Sequence, residues 1–373
     1  MEMPRLLKAM VHLLKEHKGS DLHMLEGEPP RIRVRGDLRP IEIKDHPHVT
    51  AEDIQAILDI ALTPDQKLQL EQKGDVDFSL SFEGASGRVN VGFANGRKLH
   101  LTMRYLPEQI IPLEKLGIDA EMLKQLAGNE AGLIIVAGET SSGKTTTIAA
   151  MLDYINHTRM GSITTIENPV EYVLKGDKCL ITRREIGRDT PSFHDALRAS
   201  VRKNPDVLLI GEIRDRETGQ IALTAAETGI LTFCTLHAVG AIAAITRLAH
   251  IMAGEGFKEE EFLLRLSHTL LGIIAQQLVK AVNGQYFLPL YEILNITDIE
   301  RGYMRAGKFD RLEQSLESER SISLGECIYR LWQQRPRPID EALVRRIYGS
   351  QFNQAMNVLN DPSGYKPINR WMA

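Results

Sequence analysis

Eight consecutive residues decide what kind of sheet this chain has to build. Gly138, Glu139, Thr140, Ser141, Ser142, Gly143, Lys144 and Thr145 fit the pattern GxxxxGK[ST]. They follow the apolar run GLIIVAG, residues 132–138, and precede a helix-forming stretch, TTTIAAMLDYI, which begins at Thr145 and Thr146. A buried strand, a glycine-rich loop and a helix start are the context in which this pattern cradles phosphates. The glycines let backbone N–H groups converge, and the helix N-terminus adds positive potential. Lys144 is expected to reach the β- and γ-phosphates of ATP, and the Thr145 hydroxyl to reach Mg²⁺.

A strand buried on both faces belongs to a parallel sheet with helices on either side. Three further runs have this continuous apolar character: ITTIE (163–167), DVLLIG (206–211) and LTFCTLH (231–237). Helical stretches separate them. Residues 228–246 carry no Asp, Glu, Lys or Arg. Their His237, threonines and glycines nevertheless suit a strand, a turn and a helix start better than a membrane span.

The first 105 residues follow a different grammar. An amphipathic helix is expected over 4–18, and a hairpin turns at Gly36-Asp37 within 31–41. A capping box at Thr50 and Asp53 opens a helix to about Leu62. Val76, Phe78, Leu80 and Phe82 alternate, as do Val89, Val91 and Phe93, and Leu99, Leu101, Met103 and Tyr105. Alternation at period two marks a half-buried antiparallel meander. The expected organisation is a small α+β domain (1–105), a proline-containing linker (106–112), an α/β domain (113–296) and a helical C-terminal region (297–373). Beyond about 257 the pattern reads as helical over 259–280, 309–319, 323–334 and 338–360.

Composition narrows the function. The chain of 373 residues has 45 Lys and Arg against 49 Asp and Glu, and neither half is strongly basic. No clustered cationic surface for nucleic acid is indicated. Cys179, Cys234 and Cys327 are widely spaced without a CxxC pair, which excludes a zinc ribbon or redox pair and fits a reducing compartment.

Beside the phosphate loop, Glu212 ends the run 206–211. An acid there is expected to hold a metal-bound water or to take a proton from an attacking one. Glu167 and Glu171 flank a proline at the end of another run, and His237 closes a third. Arg88, Arg97 and Arg104 lie in the small domain, and enzymes of this kind often recruit an arginine from another domain or subunit.

Together, GETSSGKTT, TIENPVEY, NPDVLLIGEIRDRET, AAETG and TLHA resemble the Walker A, Asp, Walker B and His boxes of the secretion-ATPase superfamily. Within it the chain is similar to the type IV pilus retraction ATPases, the PilT/PilU group. GSDLHMLEGEPPRIRVRGDLRPI resembles that group's opening, and GRVNVGFANGR its arginine-bearing segment. The resemblance implies a RecA-like P-loop NTPase domain behind an N-terminal PAS-like domain. It also implies a cytoplasmic homo-hexameric ring at the inner membrane, using ATP and Mg²⁺. The partners implied are an inner-membrane pilus platform protein and a related ATPase, with no nucleic acid. Carried over by position, Glu212 is the catalytic acid, Glu167 and Glu171 are the Asp-box acids, and His237 is the His-box histidine. Thr145, Glu167 and Glu212 serve the metal, and Arg97 and Arg104 contact phosphates. Asn168 stands where the family often has Asp, and Ile230 where it often has a second histidine. The family's C-terminal helix motif is matched only loosely by Ile299–Arg305, and the tail after about 358 has no counterpart.

The expected function is ATP-driven pilus retraction. The alternatives are a pilus-assembly or type II secretion ATPase of the same superfamily, a RecA-like nucleic-acid motor, or an inert nucleotide-binding ring partner. Assembly and secretion members usually add a long N-terminal extension and paired CxxC motifs, which this sequence does not carry. Intact Lys144, Thr145 and Glu212 weigh against inertness.

Overall fold

The structure is a computed structural model describing residues 4–34, 36–44, 46–82, 85–106, 109–284 and 286–360. The chain forms two compact units. One comprises 1–110 with 166–175 and 183–196, and the other comprises 111–165, 176–182 and 197–373. The two short segments of the first unit lie inside the range that the sequence reading assigned to the α/β domain.

The first unit contains α1 (Arg5–Glu16), β1 (Asp21–Leu25), β2 (Arg31–Val34), β3 (Asp37–Pro40), α2 (Ala51–Ala61), α3 (Pro64–Lys73), β4 (Asp75–Phe82), β5 (Ala85–Ala94) and β6 (Lys98–Leu106). The strands form a sheet in the order β3-β2-β1-β6-β5-β4, with each neighbouring pair antiparallel. Period-two patterning decides its faces. Leu22, Met24, Val76, Phe78, Val89, Val91, Leu101 and Met103 are buried with Leu6, Leu7, Met10 and Leu14 of α1 and Ile54, Ile57 and Leu58 of α2. Each such side chain contributes about 1.5–3 kcal/mol when fully buried. The capping box at Thr50 is present: Asp53 N–H donates to Thr50 Oγ1 at 3.2 Å, and Thr50 N–H to Asp53 Oδ2 at 2.9 Å. The sequence reading left β1 and α3 unassigned, although α3 carries its own capping box at Thr63 and Gln66. The expected linker starts at the last residue of β6, and its residues 107–108 lie outside the described residues.

Then follow α4 (Ala120–Ala127), β7 (Gly132–Ala137), α5 (Lys144–Thr158), β8 (Gly161–Glu167), β9 (Cys179–Glu185), α6 (Phe193–Val201), β10 (Val207–Ile210), α7 (Arg216–Glu227), β11 (Leu231–Leu236), α8 (Ala241–Met252), α9 (Glu259–Thr269), β12 (Leu270–Lys280) and β13 (Phe287–Asn295). The strands form a seven-stranded sheet in the order β13-β12-β7-β11-β10-β8-β9. β7, β10 and β11 are buried along their whole length, as their continuous apolar runs require. The C-terminal region is helical: α10 (Asp298–Arg305), α11 (Phe309–Ser315), α12 (Leu324–Gln333), α13 (Glu341–Tyr348) and α14 (Phe352–Asn360). The tail from 361 onward lies outside the described residues.

Two expectations are corrected. Residues 259–280 are not one helix: α9 stops at Thr269 and β12 begins at Leu270. The sheet is also not purely parallel. β12 runs parallel to β7, but β13 returns antiparallel to β12. The run LLGIIAQQLV is apolar enough for either helix or strand, and periodicity alone does not separate the two. Pairing on both edges decides for strand. No helix among the described residues is long and apolar enough to cross a membrane.

Candidate active site

In the second unit, the expected phosphate-binding loop lies between β7 and α5. Three backbone conformations shape it: Gly138 at φ 151°, Ser141 at 64° and Gly143 at 88°. Gly143 caps α5 without a side-chain hydrogen bond, and the first turn holds no acid. The positive end of a 15-residue helix is therefore not answered by a carboxylate of its own first turn. Lys144 is buried, and its Nζ donates to the carbonyls of Gly138 at 2.9 Å and Glu139 at 2.7 Å. Ser142 Oγ is buried and has no hydrogen-bond partner among the described residues. An orphaned hydroxyl in a loop with a buried ammonium and a helix start that lacks a side-chain cap suits a polyanion.

Glu212 follows β10, and its side chain is 19% exposed. One oxygen receives Arg214 Nη2 at 2.7 Å, and the other faces His237 Nε2 at 3.4 Å. The Arg214 side chain is 69% exposed, and an ion pair so open to water contributes only ~0–1 kcal/mol. Its effect is orientation. Hydrogen bonding to Glu212 raises the arginine further above its ordinary value.

Backbone stitching sets these side chains side by side. Gly138 N–H donates to the Leu236 carbonyl at 3.2 Å, joining the loop to the strand end before His237. Ile213 N–H donates to the Thr235 carbonyl at 3.2 Å, and the Thr235 hydroxyl donates to the Gly211 carbonyl. Thr235 thus grips both neighbours of Glu212.

The expected site residues outside the loop and the Glu212–His237 pair lie in the first unit. Glu167 ends β8, is buried, and accepts the Glu171 N–H at 3.4 Å. The stretch between them contains a cis Asn168-Pro169 bond. Glu185, buried in β9, accepts from Val170 N–H at 3.3 Å and from Ser79 N–H of β4 at 2.9 Å. That carboxylate ties this acidic loop to the small sheet. Arg97, in the β5–β6 turn, stacks over Phe93 at 4.8 Å. Arg104 Nε donates to Asp21 Oδ1 at 2.9 Å, and Arg88 lies 3.9 Å from Asp77. Each arginine thus has a partner in its own sheet.

The sequence reading missed Arg214, Glu185 and Gln276. Gln276 is a buried amide in the apolar β12, and its Nε2 donates to the Ser142 carbonyl at 2.8 Å. A polar residue inside a continuous apolar run was the available signal for it. Glu185 stands at the end of a strand with no periodic mark.

A family model described as "Type II/IV secretion system protein" matches residues 2–307. The chain belongs to this family. Several members are named for pilus movement. The type IV pilus retraction ATPase PilT of Pseudomonas aeruginosa is 38% identical over 308 residues, which is 82% of this chain and 87% of that protein. PilU of the same organism is 34% identical over 350 residues, 92% and 88% of the two chains. A crystal structure of the pilus retraction motor PilT with bound ADP superposes with a TM-score of 0.80 at 36% identity, covering 97% of this chain and 98% of that one. The ATPase DotB of Legionella pneumophila shares the fold, with a TM-score of 0.79 at 22% identity over 95% and 96% of the two chains.

Proposed function

We propose that this member of the family is an ATP-hydrolysing motor that powers retraction of a type IV pilus. The observation that carries the proposal is the joining of a complete phosphate loop to the Glu212–His237 pair, in a chain 38% identical to a retraction ATPase. Lys144 and the loop amides from Gly138 to Thr146 hold the phosphates. Glu212 holds the attacking water and takes its proton. His237, with Nε2 3.4 Å from Glu212, keeps that carboxylate turned and links its position to β11. Thr145 and Glu212 are the groups suited to Mg²⁺, which when bound neutralises charge on the phosphates. Glu167 is proposed as a further carboxylate toward the metal, and Arg97 and Arg104 as phosphate contacts after leaving their present partners.

The motor is proposed to be a homo-hexameric ring in the cytoplasm, bound at the inner membrane to a pilus platform protein and working with a related ATPase. Heterologous contacts close into rings when the rotation allows. Light scattering with ATP should return six times the chain mass, and a monomer under all nucleotide conditions contradicts the ring. Deleting the gene tests the function: pili should persist or increase while twitching motility is lost. Loss of the pili themselves would point to the assembly reading instead.

A further inference from the structure

We infer that Gln276 is a positioning residue that holds the phosphate loop in its nucleotide-accepting shape. The inference rests on the proposed reading of that loop as the nucleotide site. Gln276 is 2% exposed and lies on β12, 134 residues from the loop it touches. The parallel register pairs Ala275 with Ala137, the last residue of β7, so Gln276 arrives where the loop begins.

Its amide makes two bonds of opposite sense. Nε2 donates to the Ser142 carbonyl at 2.8 Å, and Oε1 accepts the Thr147 hydroxyl of α5 at 2.8 Å. The Ser142 carbonyl only accepts, which fixes the nitrogen toward the loop and leaves the oxygen for Thr147. One side chain therefore fastens the loop to the first turn of the helix behind it. Gln276 also occupies the space beside both glycines of the pattern. A Cβ on Gly138 would meet the backbone carbonyl oxygen of Gln276 at 2.3 Å, and one on Gly143 would meet its side-chain Nε2 at 3.0 Å. With the Ser142 carbonyl drawn to β12, the N–H of Gly143 on the same peptide plane is turned away from β12, where a phosphate can be met.

The loop holds the phosphates in the ground state and in the transition state alike. Loosening it should raise KM while kcat changes little. The test uses the full chain, with ADP as the equilibrium probe, ATP turnover and a melting curve. Gln276→Met keeps length and apolar bulk but has no amide. It should melt close to the parent while the Kd for ADP and the KM for ATP rise about tenfold, as expected for a lost buried hydrogen bond. Gln276→Glu keeps the acceptor for Thr147 but not the donor for Ser142, and should fail to restore ADP binding. Thr147→Val removes only the second bond. It should weaken ADP binding less than Gln276→Met, which keeps the question answerable if Gln276→Met does not fold. ADP binding and KM within twofold of the parent in both Gln276→Met and Thr147→Val, or restored binding in Gln276→Glu, would overturn the inference. A parent chain that binds no ADP would instead overturn the nucleotide-site reading on which it rests.

Discussion

The Glu212 carboxylate and the His237 imidazole face each other at 3.4 Å, although 25 positions separate them in the chain. Adjacent parallel strands bring them together. β10 and β11 pair in register from Val207 with Leu231 to Ile210 with Cys234, and both residues lie just beyond the carboxyl ends of those strands. That is where ligands bind in open α/β sheets. Thr235 then fixes the local backbone by bonding to both Gly211 and Ile213.

Glu212→Gln preserves shape and removes the basic oxygen. ATP should still bind, while turnover falls by ~10²–10⁴, the range for a lost general base. Equilibrium nucleotide binding and single-turnover hydrolysis measure the two separately. Normal single-turnover hydrolysis would transfer the role away from Glu212 and make Glu167 the next candidate.

His237→Ala leaves Glu212 with Arg214 as its charged partner among the described residues. The 3.4 Å contact is expected to tighten to a hydrogen bond once nucleotide is bound, and a hydrogen bond to a charged group contributes about 1.5–3 kcal/mol, so turnover should fall roughly 10- to 100-fold. ATP affinity should fall much less, because His237 makes no bond to the loop among those described. Unchanged turnover would return His237 to a purely structural role.

Much of this site is legible in the sequence because its parts are local. The loop pattern, the apolar runs and the acid or histidine that ends each run are short and contiguous, and a parallel sheet then brings their ends together. What was not legible depends on long-range pairing. Nothing around Thr269 signals a helix stop, and β12 becomes a strand by pairing with β7, 137 positions earlier at Leu270 and Leu133. Gln276 gains its meaning only after that pairing is made. Likewise Glu185 reads as an ordinary acid until Ser79, 106 positions away, donates its N–H to it.

Asp21 offers a test of the small sheet that is independent of catalysis. Burial pushes its carboxyl upward, but hydrogen bonds from Ser20 and Arg104 outweigh this, and the net shift is downward. A carboxylate with a lowered folded pKa stabilises above its unfolded pKa and loses that contribution as pH falls through the folded value. Asp21→Asn should therefore lower Tm by about 2–4 °C at pH 7, as expected for a loss near 1 kcal/mol. The gap should narrow as pH drops below ~4. A gap that stays constant from pH 7 to the acid range would contradict the ion-pair account.

The central claim is that the Gly138–Thr146 loop binds ATP for hydrolysis. Phosphate release from ATP by the purified chain with Mg²⁺, measured beside Lys144→Ala, tests it most directly. Lys144 is the loop's one cationic side chain, and without it the β- and γ-phosphates lose that charge. The parent should release phosphate steadily and the variant should fall at least ~100-fold, consistent with losing a charged contact of ~3 kcal/mol. Equal rates in the two proteins would contradict the account.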